Sequence, residues 1–208
     1  AVPLVLITSW EALHDRTGIK QWHKVLIHAG AGGVGHIAIQ LARIAGAEVC
    51  ATVGSADKAE FARSFGANHV INYKEKDFVE DVLDWTNGKG VDIAFDTVGG
   101  KTLADTFAAV RHYGDVVTLL APGPEIDWGI PRVRNQRLSF ELMLIPVFTG
   151  LGDAMAHQGG ILRRGTELFE ARELRIHVDK TFPLERAAEA HALVASGKTK
   201  GKVVLTID

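Results

Sequence analysis

The residues most directly tied to chemistry lie near the start of the chain, in His28-Ala29-Gly30-Ala31-Gly32-Gly33-Val34-Gly35. Gly30, Gly32 and Gly35 satisfy the spacing G-x-G-x-x-G, and each position meets a separate demand. Gly30 lets a strand turn sharply. Gly32 lets main chain approach a diphosphate with no side chain in the way. Gly35 lets the next helix pack closely on the strand. The free N–H groups and the positive dipole end of that helix then face phosphate charge. With 22 glycines in the chain, such a spacing gains weight only from its setting. Here it falls between a buried strand and an amphipathic helix.

The second strand decides which nucleotide is favoured. It ends Thr52-Val53-Gly54-Ser55, with no carboxylate at its tip. Sites for NAD commonly place an acidic residue there, on the ribose hydroxyls. Glycine and serine instead leave room for a 2′-phosphate, and Lys58 follows one helical turn later. Asp57 and Glu60 are nearby and offer a ribose an alternative partner. The residues favour NADPH over NADH.

The elements that must position these groups alternate along the first two thirds of the chain. Lys24–His28 reads as a buried strand, and from Gly33 a helix places Val34, Ile37, Leu41 and Ile44 on one face. Glu48–Val53 reads as strand, Asp57–Phe65 as helix, His69–Asn72 as strand and Phe78–Trp85 as helix. Val91–Phe95, a helix over Leu103–Arg111 and a strand over Asp115–Leu120 complete the series. This alternation predicts right-handed crossovers and a doubly wound parallel sheet, the α/β Rossmann fold. Beyond Pro122 the chain turns loop-like. The apolar run Leu138–Val147 predicts a further strand, whose open edge invites pairing with a second copy. Ala154–Leu174 reads as a helix interrupted at Gly159-Gly160. Arg175–Phe182, a helix over Leu184–Ala195 and a strand over Lys202–Ile207 follow.

Composition narrows the function. Hydrophobic residues make up 47% and charged residues 23% of 208, enough apolar material for a sizeable core. A net charge of −2 gives no general attraction to nucleic acid or to an anionic membrane. No apolar run approaches the roughly 18–20 residues of a membrane span. One cysteine, Cys50, excludes an intrachain disulfide and a Cys-rich zinc site, and reads as a core thiol in a reducing, cytoplasmic setting. None of the nine histidines pairs at HxxxH spacing, so no metal site is expected; His28 and His36, flanking the glycine turn, read as packing residues. Tyr73 and Tyr113 lack a lysine four positions on, which excludes the proton-transfer pair of short-chain dehydrogenases. No G-x-S-x-G elbow is present. Arg132, Arg134 and Arg137, like Arg163-Arg164, read as surface or interface features.

Taken together, GAGGVGHIAIQLA (30–42), ATVGSADKAEFARSFGANHVINY (51–73) and VDIAFDTVGG (91–100) resemble the medium-chain dehydrogenase/reductase superfamily. Within it they resemble the zinc-independent quinone oxidoreductase, zeta-crystallin-like, branch. The resemblance extends from ITSWEAL (7–13) to GKTKGKVVL (197–205). It implies that Gly32, Gly33 and Val34 hold the pyrophosphate, and that Ser55, Lys58 and Tyr73 bind the 2′-phosphate. Asp96–Gly99, with Val98, and Thr118–Ala121, with Leu119 and Leu120, would line the nicotinamide and its ribose. Glu141–Leu144, with Leu142, would run near the nicotinamide and form a homodimer seam. The family carries an N-terminal GroES-like catalytic domain, so the chain, which starts at Ala1 in what reads as mid-protein sequence, is expected to be a fragment. Residues 1–174 would be the nucleotide-binding domain with its entry helix, and 175–208 the C-terminal segment of the catalytic domain.

The resulting expectation is an NADPH-dependent oxidoreductase passing hydride to a quinone or an α,β-unsaturated carbonyl, with no zinc held in this chain. No general acid is identifiable. Two alternatives stay open: a zinc-dependent alcohol dehydrogenase whose metal ligands lie upstream, and a non-catalytic nucleotide-binding module.

Overall fold

Short, fully buried runs rich in Val, Ile, Leu and Ala cannot face water on either side, so they collect in one sheet and the amphipathic stretches cover it. The computed structural model describes residues 1–207. The strands are β1 (Lys24–Ile27), β2 (Glu48–Val53), β3 (His69–Asn72), β4 (Val91–Asp96), β5 (Val110–Thr118) and β6 (Arg137–Phe140). They form a six-stranded sheet in the order β3-β2-β1-β4-β5-β6, with every pair parallel. This is the doubly wound Rossmann topology. The chain moves outward from β1 through β2 to β3, then returns to β4 on the other side of β1, leaving a crevice at the strand ends between them.

Helices α1 (Val2–Trp10), α2 (Gly35–Ile44), α3 (Ala56–Ser64), α4 (Phe78–Trp85) and α5 (Gly100–Ala109) cover the two faces. The entry helix α1 runs on through a π-helical turn, Glu11–Arg16. One core layer joins α1 and α2 to the sheet through Leu6, Leu13, Ile37, Ile39 and Leu41; the other joins α4 and α5 through Val82, Leu103 and Phe107. Each such side chain, fully buried, contributes roughly 1.5–3 kcal/mol. Ile44, expected on the buried face of α2, sits at its open end and is exposed. Cys50 is a core thiol, and burial pushes its pKa up.

Three elements differ from the sequence-based expectation. The apolar run 138–147 is strand only as far as Phe140; Pro146 then opens a short helix, α7 (Ile145–Thr149). Proline has no N–H to continue a ladder and its fixed φ suits a helix start. Helix α8 (Gly152–Glu170) passes through Gly159-Gly160 without a break. Its packing explains this: Ile161 and Leu168 are buried, and Gly165 lies so close to Leu6 of α1 that an added Cβ would meet Leu6 Cδ2 at 2.1 Å. Tertiary contact outweighs the local glycine cost of about 1 kcal/mol per residue. The loop after Pro122 also holds a short helix, α6 (Gly129–Val133). Arg134 from its end caps α5, donating to the carbonyls of Ala108 and Val110 at 2.8 and 2.9 Å. Arg137 makes a two-pronged pair with Asp115 at 2.6 and 2.7 Å. Two of the three arginines in that cluster thus have structural tasks.

The last segment forms a separate two-stranded parallel sheet, β7 (Val178–Pro183) with β8 (Lys202–Thr206), joined by α9 (Ala187–Ala195). Among the described residues no helix is long and apolar enough to cross a membrane.

Candidate dinucleotide-binding site

The glycine turn stands at the end of β1, beside the crevice. Its tightest backbone position is Ala29, at φ 49°, rather than Gly30. A side chain in that left-handed region costs of order 1 kcal/mol. Gly30 serves close approach instead: its N–H donates to the Thr52 carbonyl at 2.9 Å, and a Cβ there would lie 2.7 Å from Ala51 Cβ. Gly35 is more constrained, since its Cβ would fall 2.3 Å from the Ala29 carbonyl oxygen and 2.8 Å from Gly30 Cα. Gly32 is different. A Cβ there would meet only Ala29 O, at 3.1 Å, and otherwise enters open space. Among the described residues the amides of Gly33 and Val34, just before α2, take no backbone partner. The turn therefore presents bare main chain and the positive end of α2 to an open face, which fits a diphosphate.

His36 supports this turn from below. His177 donates its amide to His36 Nε2 at 3.3 Å, so the proton sits on Nδ1, which donates to the Gly32 carbonyl at 2.8 Å. Burial lowers the His36 pKa and keeps the ring neutral. His28 is equally structural. It is 1% exposed and bonds the hydroxyls of Thr52 and Thr106 at 3.1 and 2.9 Å; burial brings its pKa down to about 4 despite Asp96 nearby.

Ser55, Lys58 and Tyr73 converge at the end of β2. Ser55 is the N-cap of α3, its hydroxyl oxygen accepting from the Lys58 amide at 3.4 Å. Its O–H remains able to donate. Tyr73 lies across Gly54, where a Cβ would meet its hydroxyl at 2.6 Å. The Lys58 ammonium reaches the Gly197 carbonyl. A cavity of about 260 Å³ separates these groups from the glycine turn and is lined by Ala31, Gly32, Gly54, Lys58 and Tyr73. A second, of about 470 Å³, lies beyond Tyr73, between Phe78, Thr102 and Val98.

At the other end of the crevice, Asp96 ties two strand ends together. Its buried carboxylate accepts from the amides of Val98 and Gly99, at 3.1 and 3.0 Å, and from the Thr118 hydroxyl at 2.7 Å. Leu120 covers Gly99, whose φ of 75° and lack of a side chain allow the contact. Val98, Leu120 and Leu142 are about half exposed there, and Leu119 is half-buried. These apolar tips share the sheet's C-terminal edge.

Residues 65–205 match the family described as zinc-binding dehydrogenase. The chain belongs to this family, within the medium-chain dehydrogenase/reductase superfamily. It is 37% identical over 202 residues to the 2-haloacrylate reductase of a Burkholderia species, an alignment covering 96% of this chain and 60% of that protein. Its fold superposes on an alcohol dehydrogenase superfamily protein from Novosphingobium aromaticivorans with a TM-score of 0.90 at 32% identity, covering 99% of this chain and 62% of the other. It likewise matches the Escherichia coli quinone oxidoreductase complexed with NADPH, with a TM-score of 0.87 at 29% identity, covering 98% and 63%. The chain thus spans about three fifths of the length of these relatives.

One part of the site escaped sequence reading. The loop 197–202 (GKTKGK) closes over the glycine turn: Gly201 N–H donates to the Ala31 carbonyl at 2.8 Å, and Gly197 and Thr199 line the smaller cavity. Lys202 lies against Gly33, where a Cβ would meet its side chain at 2.9 Å, and Lys200 pairs with Asp57 at 3.0 Å. Alternating glycine and lysine before a final strand was the available signal, because that composition suits phosphate. Among the described residues no group of three His, Cys, Asp or Glu side chains is placed to hold a metal ion.

Proposed function

We propose that this chain binds NADPH along the crevice and is the cofactor-holding part of an oxidoreductase that reduces a quinone or an α,β-unsaturated carbonyl. The observation that carries the reading is the open face of Gly32 at the mouth of α2, on a cavity it shares with Lys58 and Tyr73. Gly32, Gly33 and Val34 would hold the pyrophosphate by main-chain amides, and Gly30 and Gly35 would keep the turn tight enough to present them. Ser55 and Lys58 would donate to the 2′-phosphate beside Tyr73. Val98, Leu119, Leu120 and Leu142 would give the nicotinamide and its ribose a dry wall.

When bound, the dinucleotide supplies the hydride. The chain's share of the chemistry is to fix the ring against an acceptor and to exclude water. The relatives' named activities, reduction of a haloacrylate and of a quinone, support an electron-poor alkene or quinone as acceptor. Residues 175–208 would belong to a catalytic domain, and the exposed apolar residues around 138–147 would pair with a second copy. A cytoplasmic setting goes with the same reading.

Calorimetric titration with NADPH and NADH tests the cofactor, and NADPH oxidation with a panel of quinones and enones tests the reaction. Equal affinity for the two nucleotides would overturn the first; NADPH binding without oxidation by any acceptor, in any longer form of the protein, would overturn the second.

A further inference from the structure

The entry helix, the exit of β6 and α8 meet around two buried carboxyl groups. Glu11 and Glu141 are 8% and 2% exposed, and their carboxyls lie within hydrogen-bonding reach of each other. Arg16 Nε donates to Glu141 Oε2 at 2.9 Å. Gln158 Nε2 donates to Glu11 Oε1 at 3.0 Å and to the Met143 carbonyl at 2.8 Å. The oxygen left over, Glu141 Oε1, is buried and receives no donor among the described residues.

Two ionised carboxylates in contact repel, and a buried acceptor without a donor is costly. A single proton on Oε1, shared with Glu11, removes both penalties. Arg16 does not suffice by itself, because it leaves two negative charges against one positive. The other charged neighbours are already matched. Asp15, on the entry helix, bonds His157 of α8 at 2.8 Å across a cavity of about 600 Å³ beside the pair. His14, on the same helix, packs at a tilt on Trp10 and burial lowers its pKa. On the β6 side, Phe140, Leu142 and Ile145 complete the wall.

The pair sits at the ligand end of the sheet. Glu141 donates its amide to the Thr118 carbonyl at 3.0 Å, next to Leu119 and Leu120, and Leu142 follows it directly. We propose that Glu141, protonated and hydrogen-bonded to Glu11, is a positioning residue for the dinucleotide site. The shared proton adds to the Arg16 pair in fastening the exit of β6, with Leu142, to the entry helix, and its loss sets the two carboxylates against each other and loosens that segment. This rests on the NADPH reading above.

Burial first, and Glu11 second, push the Glu141 carboxyl up to about 8, so the proton is held at neutral pH. A group raised in the folded state favours folding most at low pH, and that contribution is lost as pH rises through the folded value. If only the protonated form presents the segment correctly, apparent affinity falls with the protonated fraction, up to tenfold per pH unit above the midpoint.

The test is NADPH titration of the full chain between pH 6.5 and 9.5, in the wild type, Glu141→Gln and Glu141→Ala. Glutamine keeps a donor towards Glu11 that no base removes. Wild-type affinity should fall tenfold per unit at the alkaline end, Glu141→Gln should stay flat, and Glu141→Ala should bind weakly throughout. Melting temperatures without nucleotide over the same range should fall for the wild type and not for Glu141→Gln. Parallel profiles for wild type and Glu141→Gln in both measurements overturn the proposal. Absence of NADPH binding at every pH overturns the functional reading and the positioning role, and the melting profiles then still decide whether the proton is shared.

Discussion

Replacing Lys58 by alanine separates the 2′-phosphate from everything else the site does. Its ammonium reaches the Gly197 carbonyl and stands on the cavity that opens between Tyr73 and Gly32. A charge-assisted bond to phosphate contributes about 1.5–3 kcal/mol. The lysine gives up its carbonyl partner to make that bond, so the net loss belongs at the lower end, about 1.5 kcal/mol or roughly tenfold in Kd. NADH has no 2′-phosphate and should lose nothing by that route. Lys58→Ala also unties the loop at Gly197, but that change weakens both nucleotides alike, so the ratio of the two affinities isolates the phosphate contact. Isothermal titration at low and high salt is the assay, and the preference for NADPH should shrink as salt screens the exposed ammonium. If the substitution lowers both affinities by the same factor, Lys58 does not read the 2′-phosphate.

The glycines of the turn should divide by what their side chains would strike. Gly32→Val, meeting only Ala29 O at 3.1 Å, should fold with stability changed by about 1 kcal/mol or less, yet lose both nucleotides at least tenfold by blocking the diphosphate. Gly35→Ala should instead destabilise by about 1–3 kcal/mol, because the atoms in its way, Ala29 O at 2.3 Å and Gly30 Cα at 2.8 Å, are backbone; urea midpoints and nucleotide titrations on both variants check the contrast, and a misfolded Gly32→Val with a sound Gly35→Ala would reverse it. His28 should make the fold acid-sensitive. Its pKa is depressed from 6.5 to about 4, so the stability it contributes is complete above pH 6.5 and is lost as pH falls through 4, about 3 kcal/mol in all. Denaturant melts at pH 7 and pH 4.5 should show part of this loss in the wild type and less in His28→Gln; equal losses would place the acid sensitivity elsewhere.

Those sensitivities follow how far each feature reaches along the chain. The strands of the sheet were legible because a buried parallel strand is a local signal, a run such as Val91–Phe95 with no polar break, and the alternation with helices dictates their order. The glycine spacing was legible for the same reason. Yet the role of Gly30 was misassigned: whether the left-handed φ falls on it or on Ala29 depends on how closely β2 approaches, and Ala51 is 21 positions away. The same logic explains α8. Gly159-Gly160 is a local breaking signal, and the contacts that overrule it, Gly165 on Leu6 and Ile161 and Leu168 in the core, join segments far apart in the chain.

What the residues alone did not reveal is therefore concentrated where distant segments close on the strand ends. Lys58 meets Gly197 across 139 positions, and Arg16 meets Glu141 across 125. Of these partners only Gly197 lies in a recognisable pattern, the glycine–lysine run 197–202. A single glutamate after an apolar strand reads as a solvated boundary, and becomes chemically distinctive only when a second carboxyl from the entry helix removes its water. On the proposed reading the glycine turn would place the diphosphate, and these long-range closures would decide how firmly the two ends of the dinucleotide are held. Substitutions at Glu141 should therefore alter pH dependence while leaving the NADPH:NADH ratio intact, and substitutions at Lys58 should do the reverse.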